Sequence, residues 1–511
     1  MKKAVRTIIG LLVFACLQAC TNNTPSALSI QPKETVIRAG EVAVLSLSDG
    51  TKQIPSSAAQ WSATDTSVVY VSAGVIQGLR EGMVIVTAEY KKAKAECIVT
   101  VGEGTGSKKD LSSAVRYLAK STKRGVGYSF GQFPKEDVAA LAPFICWCYN
   151  WGTNPSSPEI SDLLDAAKID YFPMAWNGVN AQQIRSYKQT HPQCAYILAF
   201  NEPNLRDQAN MTPSEAAAKW PELKALANEL GLKIVSPAMN YGTLAGYSDP
   251  VKWMDEFFQL VPKTDVCAIA LHCYMASAGA MHSYIHKFDK YGLPVWMTEF
   301  CAWDKPSPSS MQGQIDYMSE ALIMLEADPK VERYAWFIPR AGGAVDSYPY
   351  MQLLSKTDIG ALSPQGEVFA ALSSLDKSTW LPCSAPILPN TYCNSSAAEA
   401  VRKGSFEEAP HLRPTTDNAG VLMLTGFREN QWLEYQVDAE TDIKQFVIRY
   451  QGVVGSKLTV LVDGVEQAQL SLPWNDMKWA EQEAAIAMPA GKHTVRLVSG
   501  GNITFNWIQF L

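Results

Sequence analysis

From Arg124 to Arg340 the chain repeats one pattern eight times: a short apolar run, then a longer stretch with helical spacing. The runs are Arg124–Ser129, Phe144–Trp151, Tyr171–Trp176, Tyr196–Glu202, Lys233–Asn240, Val266–Tyr274, Pro294–Phe300 and Arg333–Arg340. Stretches such as Pro213–Leu230 and Met311–Leu325 lie between them. One strand–helix unit takes about 30 residues, and the seven steps from Arg124 to Arg333 average about 30. Apolar runs of this length, buried on both faces, belong to parallel strands. The pattern predicts a (β/α)8 TIM barrel over residues 123–378. A dinucleotide-binding sheet is excluded, because no Gly-x-Gly-x-x-Gly follows the first run.

The flanks read differently, so the chain is multidomain. Residues 1–19 have a basic start (Lys2, Lys3, Arg6) and an apolar run, Ile8 to Cys16, too short for a permanent membrane span. Leu17-Gln18-Ala19-Cys20 resembles a lipobox, which implies lipidation of Cys20 and anchoring in a bacterial outer membrane, at the cell surface or on the periplasmic face. Residues 20–26 then form a polar tether. Residues 27–102 alternate short strands with turn signals, and Trp61 to Val69, Gly74 to Leu79 and Gly82 to Ala88 resemble the bacterial Ig-like family. That resemblance implies a spacer β-sandwich. Residues 103–122 are a linker with a short helix expected over 111–120, capped by Asp110 or Ser112. A Pro-rich linker, 379–394, leads into a second β-sandwich of jelly-roll type at 395–511, where Asp463-Gly464 marks a hairpin. Cys383 and Cys393 are close enough in sequence to pair in an oxidising compartment.

In such a barrel the active site forms where the strands end. The polar groups expected there are Asn150 and Trp151 after strand two, Trp176 after three, Asn201 and Glu202 after four, His272 and Tyr274 after six, Glu299 and Trp303 after seven, and Trp336 and Arg340 on eight. Two carboxylates on strands four and seven, ringed by amides and aromatic faces, are what cleavage of a glycosidic bond needs. The carboxylates handle the proton and the nucleophilic attack; the flat rings hold sugars. Six histidines in the whole chain argue against a catalytic metal, and no cofactor is expected. Ala341-Gly342-Gly343-Ala344 is a poor phosphate loop, and no Gly-x-Ser-x-Gly elbow is present. The net charge of −6 argues against nucleic acid as a partner.

Asn150-Trp151-Gly152, Phe172 to Trp176, Phe200 to Asn204, Met211-Thr212-Pro213, Ser236-Pro237-Ala238, Leu271 to Tyr274, Trp296 to Phe300 and Glu332 to Phe337 resemble glycoside hydrolase family 128. The resemblance runs through the barrel in order and implies a retaining endo-β-1,3-glucanase acting on laminarin-type glucan. By it Glu202 is the acid/base and Glu299 the nucleophile. Cys273 stands where the family often has an aromatic residue. The roles imply a Glu202 pKa above that of Glu299, Asn201 on the sugar 2-hydroxyl, and a hydrogen bond from Tyr274 to Glu299. In the last domain, Gly426 to Tyr435, Met488 to Leu497 and Phe505 to Phe510 resemble carbohydrate-binding module family 6. This implies sugar contacts at Asn506 and at Trp474 or Trp479, and a structural calcium at Glu399. A monomer is expected. Two other readings stay open: a glycanase for another glucan linkage, and a surface glycan-binding protein without turnover.

Overall fold

The computed structural model describes residues 28–39, 42–50, 52–102, 109–342, 344, 347–417, 419–452, 455–475 and 478–511. The expected leader, Cys20 and the tether lie outside them.

The central region is the eight-stranded parallel ring that the repeat requires. Its strands are β1 (Arg124–Gly127), β2 (Trp147–Tyr149), β3 (Asp170–Tyr171), β4 (Tyr196–Leu198), β5 (Lys233–Val235), β6 (Val266–Cys273), β7 (Val295–Phe300) and β8 (Val331–Trp336). The order is β3-β2-β1-β8-β7-β6-β5-β4. A parallel bridge between Met174 and Leu198 joins the two ends and closes the ring. Eight helices wrap it: α1 (Pro134–Leu141), α2 (Pro158–Ala166), α3 (Ala181–Thr190), α4 (Pro213–Leu230), α5 (Pro250–Leu260), α6 (Ala278–His286), α7 (Met311–Ala327) and α8 (Pro364–Ala371). Local sequence sets their ends. Thr212 and Glu215 form a reciprocal capping box ahead of α4, and Gly231 closes that helix at φ 64°.

The ring is filled by aromatic side chains. Trp147 lies 5.4 Å from Trp296 and 5.8 Å from Phe172, centroid to centroid. The Arg333 guanidinium is stacked among Phe172, Tyr196 and Trp296 at 5.2, 5.7 and 5.0 Å. Gly125 is required opposite Trp147, since a Cβ there would fall 2.5 Å from the indole nitrogen. Arg124 is buried, and bonds Tyr334, Glu326 and the carbonyls of Phe369 and Leu372.

Residues 28–102 form three small sheets around a core of their own. The strand Ala93–Gly102 shows why: Ala95, Cys97, Val99 and Val101 turn inward at every second position. Residues 381–510 build a five-stranded antiparallel sheet and a six-stranded sheet. Trp432–Ala439 alternates in the same way.

Four expectations are corrected. Residues 111–120 are not helical but run as an irregular strap. Asp110 accepts the Ser112 amide in a local turn, and the strap's carbonyls at Arg116 and Ala119 bond Asn390 and Ser374 instead of one another. Cys383 and Cys393 are separate buried thiols, because their backbones bond Asp438 and Glu434, four residues apart along one strand. Glu399 faces Arg402 at 3.7 Å and Lys403 at 3.3 Å, surroundings that disfavour the calcium expected there. Trp336 is wholly buried; it packs edge-on against Phe300 at 5.2 Å and donates Nε1–H to the Met351 carbonyl at 2.7 Å. It is a core residue and not a sugar platform.

Trp336→Phe should therefore lower stability by about 1–3 kcal/mol, the cost of a buried acceptor left unpaired. KM for carbohydrate should stay within twofold of wild type. Urea unfolding beside steady-state kinetics checks both; a raised KM with unchanged stability would restore the platform role.

Candidate active site

The ends of β4, β5, β6 and β7 bring the charged groups together. After β4 the chain runs on to Glu202, and Pro203 prevents further strand pairing. Glu202 sits at φ 43°, a left-handed conformation that costs a residue with a side chain about 1–3 kcal/mol. The following loop holds it there. Leu205 N bonds Glu202 O at 3.0 Å, Ala209 N bonds Asn201 O at 3.1 Å, and Met211 N bonds Pro203 O at 2.7 Å. Asn204 donates to the Asn240 carbonyl at 2.5 Å and so ties this loop to the one after β5.

Glu202, His272 and Glu299 are 6%, 0% and 4% exposed. One oxygen of each carboxyl and a ring nitrogen of His272 lie within 4.8 Å of one another. His272 Nδ1 is 2.8 Å from Glu202 Oε1 and 3.4 Å from Glu299 Oε2. Asn240 Nδ2 donates to Glu202 Oε1 at 2.8 Å. Glu299 receives three donors: Tyr149 Oη at 2.9 Å and Trp151 Nε1 at 2.6 Å on Oε1, and Tyr274 Oη on Oε2. These three sites are thus already engaged with one another, which suits proton handling better than metal binding.

Burial works to raise the pKa of both carboxyls. In Glu202 it is outweighed by the charge and hydrogen bond of His272, with help from Asn240, and the group lies below its ordinary value. In Glu299 burial prevails against His272, and the nearby Glu202 charge adds to it, so the group lies above. Burial disfavours charge on His272, but the two carboxylates overcome it and raise its pKa. This order of the glutamates is the reverse of the sequence expectation. The cause is that His272 bonds Glu202 directly at 2.8 Å and lies farther, at 3.4 Å, from Glu299.

The other expected residues divide. Asn201 is buried beside the pair; its Nδ2 bonds Gln208 at 3.2 Å, and its Oδ1 has no partner. Trp151, Trp176 and Trp303 are partly exposed at the mouth. Trp303 stacks on Phe337 at 5.7 Å and meets Tyr274 edge-on at 5.2 Å. Asn150 is a loop brace and not a sugar contact: its side chain bonds Gly152 N, Tyr171 Oη, the Asn154 carbonyl and Ser156 Oγ. Arg340 is spent on Asp137 and the Ser355 carbonyl. In the C-terminal region Trp474 is 62% exposed, but Asn506 is wholly buried and bonds Asp417 and the Ala419 carbonyl. The strap lies across that spot, so Asn506 is not available to a sugar.

Sequence reasoning missed Tyr149, Asn240, Phe337 and Tyr348. Asn240 was detectable, since it ends the fifth apolar run as Asn201 and Glu202 end the fourth. Tyr149 was hidden inside an apolar run. Phe337, stacked on Trp303, and Tyr348, tilted against it, carry no sequence signal beyond being aromatic.

The family model described as the glycosyl hydrolase catalytic core matches residues 127–369. The chain is 27% identical over 261 residues to Alkali-sensitive linkage protein 1 of Schizosaccharomyces pombe, covering 49% of this chain and 44% of that protein. It therefore spans less than half the length of that curated relative. Among solved structures it is similar to a subgroup II family 128 endo-β-1,3-glucanase from Pseudomonas viridiflava, with 34% identity, 50% of this chain and 98% of that one covered, and a TM-score of 0.45. A second subgroup II endo-β-1,3-glucanase of that family, from Sorangium cellulosum, shows 31% identity over 49% of this chain and 99% of that one, with a TM-score of 0.43. Sequence identity of 34% sustained across 98% of the Pseudomonas enzyme, together with the catalytic-core match, decides the family: through its barrel, this chain belongs to glycoside hydrolase family 128.

Proposed function

We propose that the protein is a retaining endo-β-1,3-glucanase that cleaves laminarin-type glucans by double displacement. One observation carries this reading: carboxyl oxygens from β4 and β7 lie within 4.8 Å across the barrel mouth. Retaining glycosidases keep their carboxyls about 5–5.5 Å apart, whereas inverting ones leave about 6.5–9.5 Å for a water. Family membership supports the β-1,3 linkage, and the two subgroup II relatives named above are endo-acting.

In this reading Glu299 attacks the anomeric carbon, and the bond to the leaving oxygen breaks as Glu202 protonates it. Water then attacks the glycosyl–Glu299 ester, Glu202 takes its proton, and Glu299 departs as carboxylate. Three donors favour the ionised form of Glu299 for the attack, against the burial that raises its pKa. Glu202 receives its proton from His272 along their 2.8 Å hydrogen bond when sugar displaces water from the cleft. Moving that proton removes a charge separation that a dry site penalises. The unpartnered Oδ1 of Asn201 accepts the sugar 2-hydroxyl. Trp176 and Trp303, which follow opposite strands of the ring, supply ring faces to sugars on either side of the scissile bond.

We also read Leu17 to Cys20 as a lipidation signal that tethers the enzyme to the outer membrane, on the strength of the small residue before Cys20 at the end of an apolar run.

Digestion of laminarin, mixed-linkage glucan and β-1,4-glucan tests the main reading. The first should yield short oligosaccharides of retained configuration, and the last none. Cleavage confined to another linkage, or binding without turnover on all three, would replace it. Glu299→Gly should be inactive, yet with azide and an aryl β-glucoside it should give the azide of inverted configuration.

The raised His272 pKa sets the alkaline limb of kcat/KM: activity persists while the pair keeps its proton and falls as pH rises through the folded value. His272→Gln should cut kcat/KM by about 10²-fold and move that limb to lower pH. An unmoved limb would show that Glu202 does not draw on His272.

Fatty-acid labelling of the expressed chain should be abolished by Cys20→Ser; labelling that survives the change rules the tether out.

A further inference from the structure

The end of the barrel opposite the glutamates carries a second cluster of donors that the proposed reaction does not use. His282 and His286 are one turn apart on α6, with ring centroids 4.5 Å from each other. Asp328 caps the C-terminus of α7, just before β8. The Nε2 atoms of both histidines and Oδ2 of Asp328 are buried without a hydrogen-bond partner. All three lie within 4.8 Å of one another, and His286 Nε2 is 3.2 Å from Asp328 Oδ2. Asp328 is 0% and His282 6% exposed.

The surrounding bonds leave those three atoms without a hydrogen bond. Asp328 Oδ1 accepts the Lys330 amide at 2.8 Å, so Oδ2 is the spare oxygen. His286 Nδ1 is 2.8 Å from Asp289 Oδ2. Donation there places the ring proton on Nδ1 and leaves a lone pair on Nε2. Asp289 is itself held by Lys330 at 3.2 Å. A carboxylate behind a histidine that faces a third donor is the usual outer support of a metal ligand. Phe406 closes the cluster from the C-terminal side, 6.1 Å from His282, and packs on Gly279.

We infer that His282, His286 and Asp328 form a binding site for one divalent transition-metal ion, zinc being the best match. In that tautomer His286 presents a lone pair to the Asp328 carboxylate oxygen 3.2 Å away, with His282 Nε2 beside them. A cation turns that repulsion into three bonds. In tetrahedral zinc the bonds are about 2.0–2.1 Å, which sets neighbouring ligand atoms about 3.3 Å apart. The 3.2 Å between His286 and Asp328 already has that span. His286, with its side chain 29% exposed, gives an entry path and leaves a fourth position for water. The bound ion fastens α6 to the turn between α7 and β8. Its role is to stabilise the barrel, away from the sugar cleft.

The test uses the full chain, stripped with a chelator and titrated with Zn2+ against a chromogenic competitor. One equivalent should bind, and the melting temperature should rise with zinc. His282→Ala and His286→Ala should each abolish both effects, and Asp289→Asn should weaken affinity about 10- to 100-fold. Co2+ should give a tetrahedral spectrum without a thiolate charge-transfer band, which separates this site from the buried cysteines. Glu202→Gln should bind zinc as wild type does. Should His282→Ala fail to fold, the partly exposed His286 and the outer Asp289 carry the test. Equal uptake by wild type and His286→Ala, uptake lost in Glu202→Gln, or no uptake at all would each overturn the site.

Discussion

One imidazole wedged between two buried carboxylates governs how the rest of the active site is built. Two negative charges this close in a dry cleft repel strongly, and burial alone would protonate both. His272 relieves this: its ring lies 2.8 Å from Glu202 and 3.4 Å from Glu299, and the two carboxylates favour its charged form. It can do so because the register of β6 against β7 shifts at His272 and sets it opposite Glu299. A one-residue slip would turn the ring to the other face of the sheet. The asymmetry of the two distances makes the glutamates different: the nearer one shares the proton, and the farther one is left to its three hydrogen-bond donors.

That arrangement needs a rigid frame, because its geometry is held against strain at Glu202 and at Trp151, which sits at φ 64°. Rigidity comes from below. The aromatic packing of Trp147, Phe172 and Trp296 around Arg333 leaves little room for the strands to slide. Beside the site, Asn204 locks the β4 loop to the β5 loop, which fixes Asn240 against Glu202. The aromatic set Trp151, Phe337, Trp303 and Tyr348 forms a continuous wall on the β7–β8 side. Each ring in it is oriented by its neighbour, so the wall is preorganised.

The ring of strands was readable because its signal is periodic and repeated: each apolar run sits where a strand does, although the paired segments are shorter than the runs. The glutamates were readable because a carboxylate at the end of an apolar run is anomalous. What failed was anything that depends on distant packing. Trp151 and Trp336 are the same residue type at ends of strands, yet one reaches Glu299 and the other fills the core. Only the approach of Met351 and Phe369 around Trp336 decides this. Asn150 looked like a site amide, but a five-residue loop folds back on it and uses its bonds. Residues 111–120 have helix-compatible spacing and are nevertheless irregular. Their carbonyls find partners at Ser374 and Asn390, residues more than 250 positions away that no local pattern anticipates.

The strap changes what the C-terminal module can contribute. Leu111 packs over Gly420 beside Asn506, and Lys109 lies 4.9 Å from the Trp507 ring while bonding Gln509. The asparagine suggested by resemblance is therefore covered by the chain that leads into the barrel. Farther along the strap, Arg116 pairs with Glu367 of α8. One segment thus contacts the module and the barrel together. A docked segment that buries apolar surface at both ends opposes independent motion of the two domains. Trp474, in the loop between two strands, is 62% exposed and is not among the residues the strap touches in these contacts.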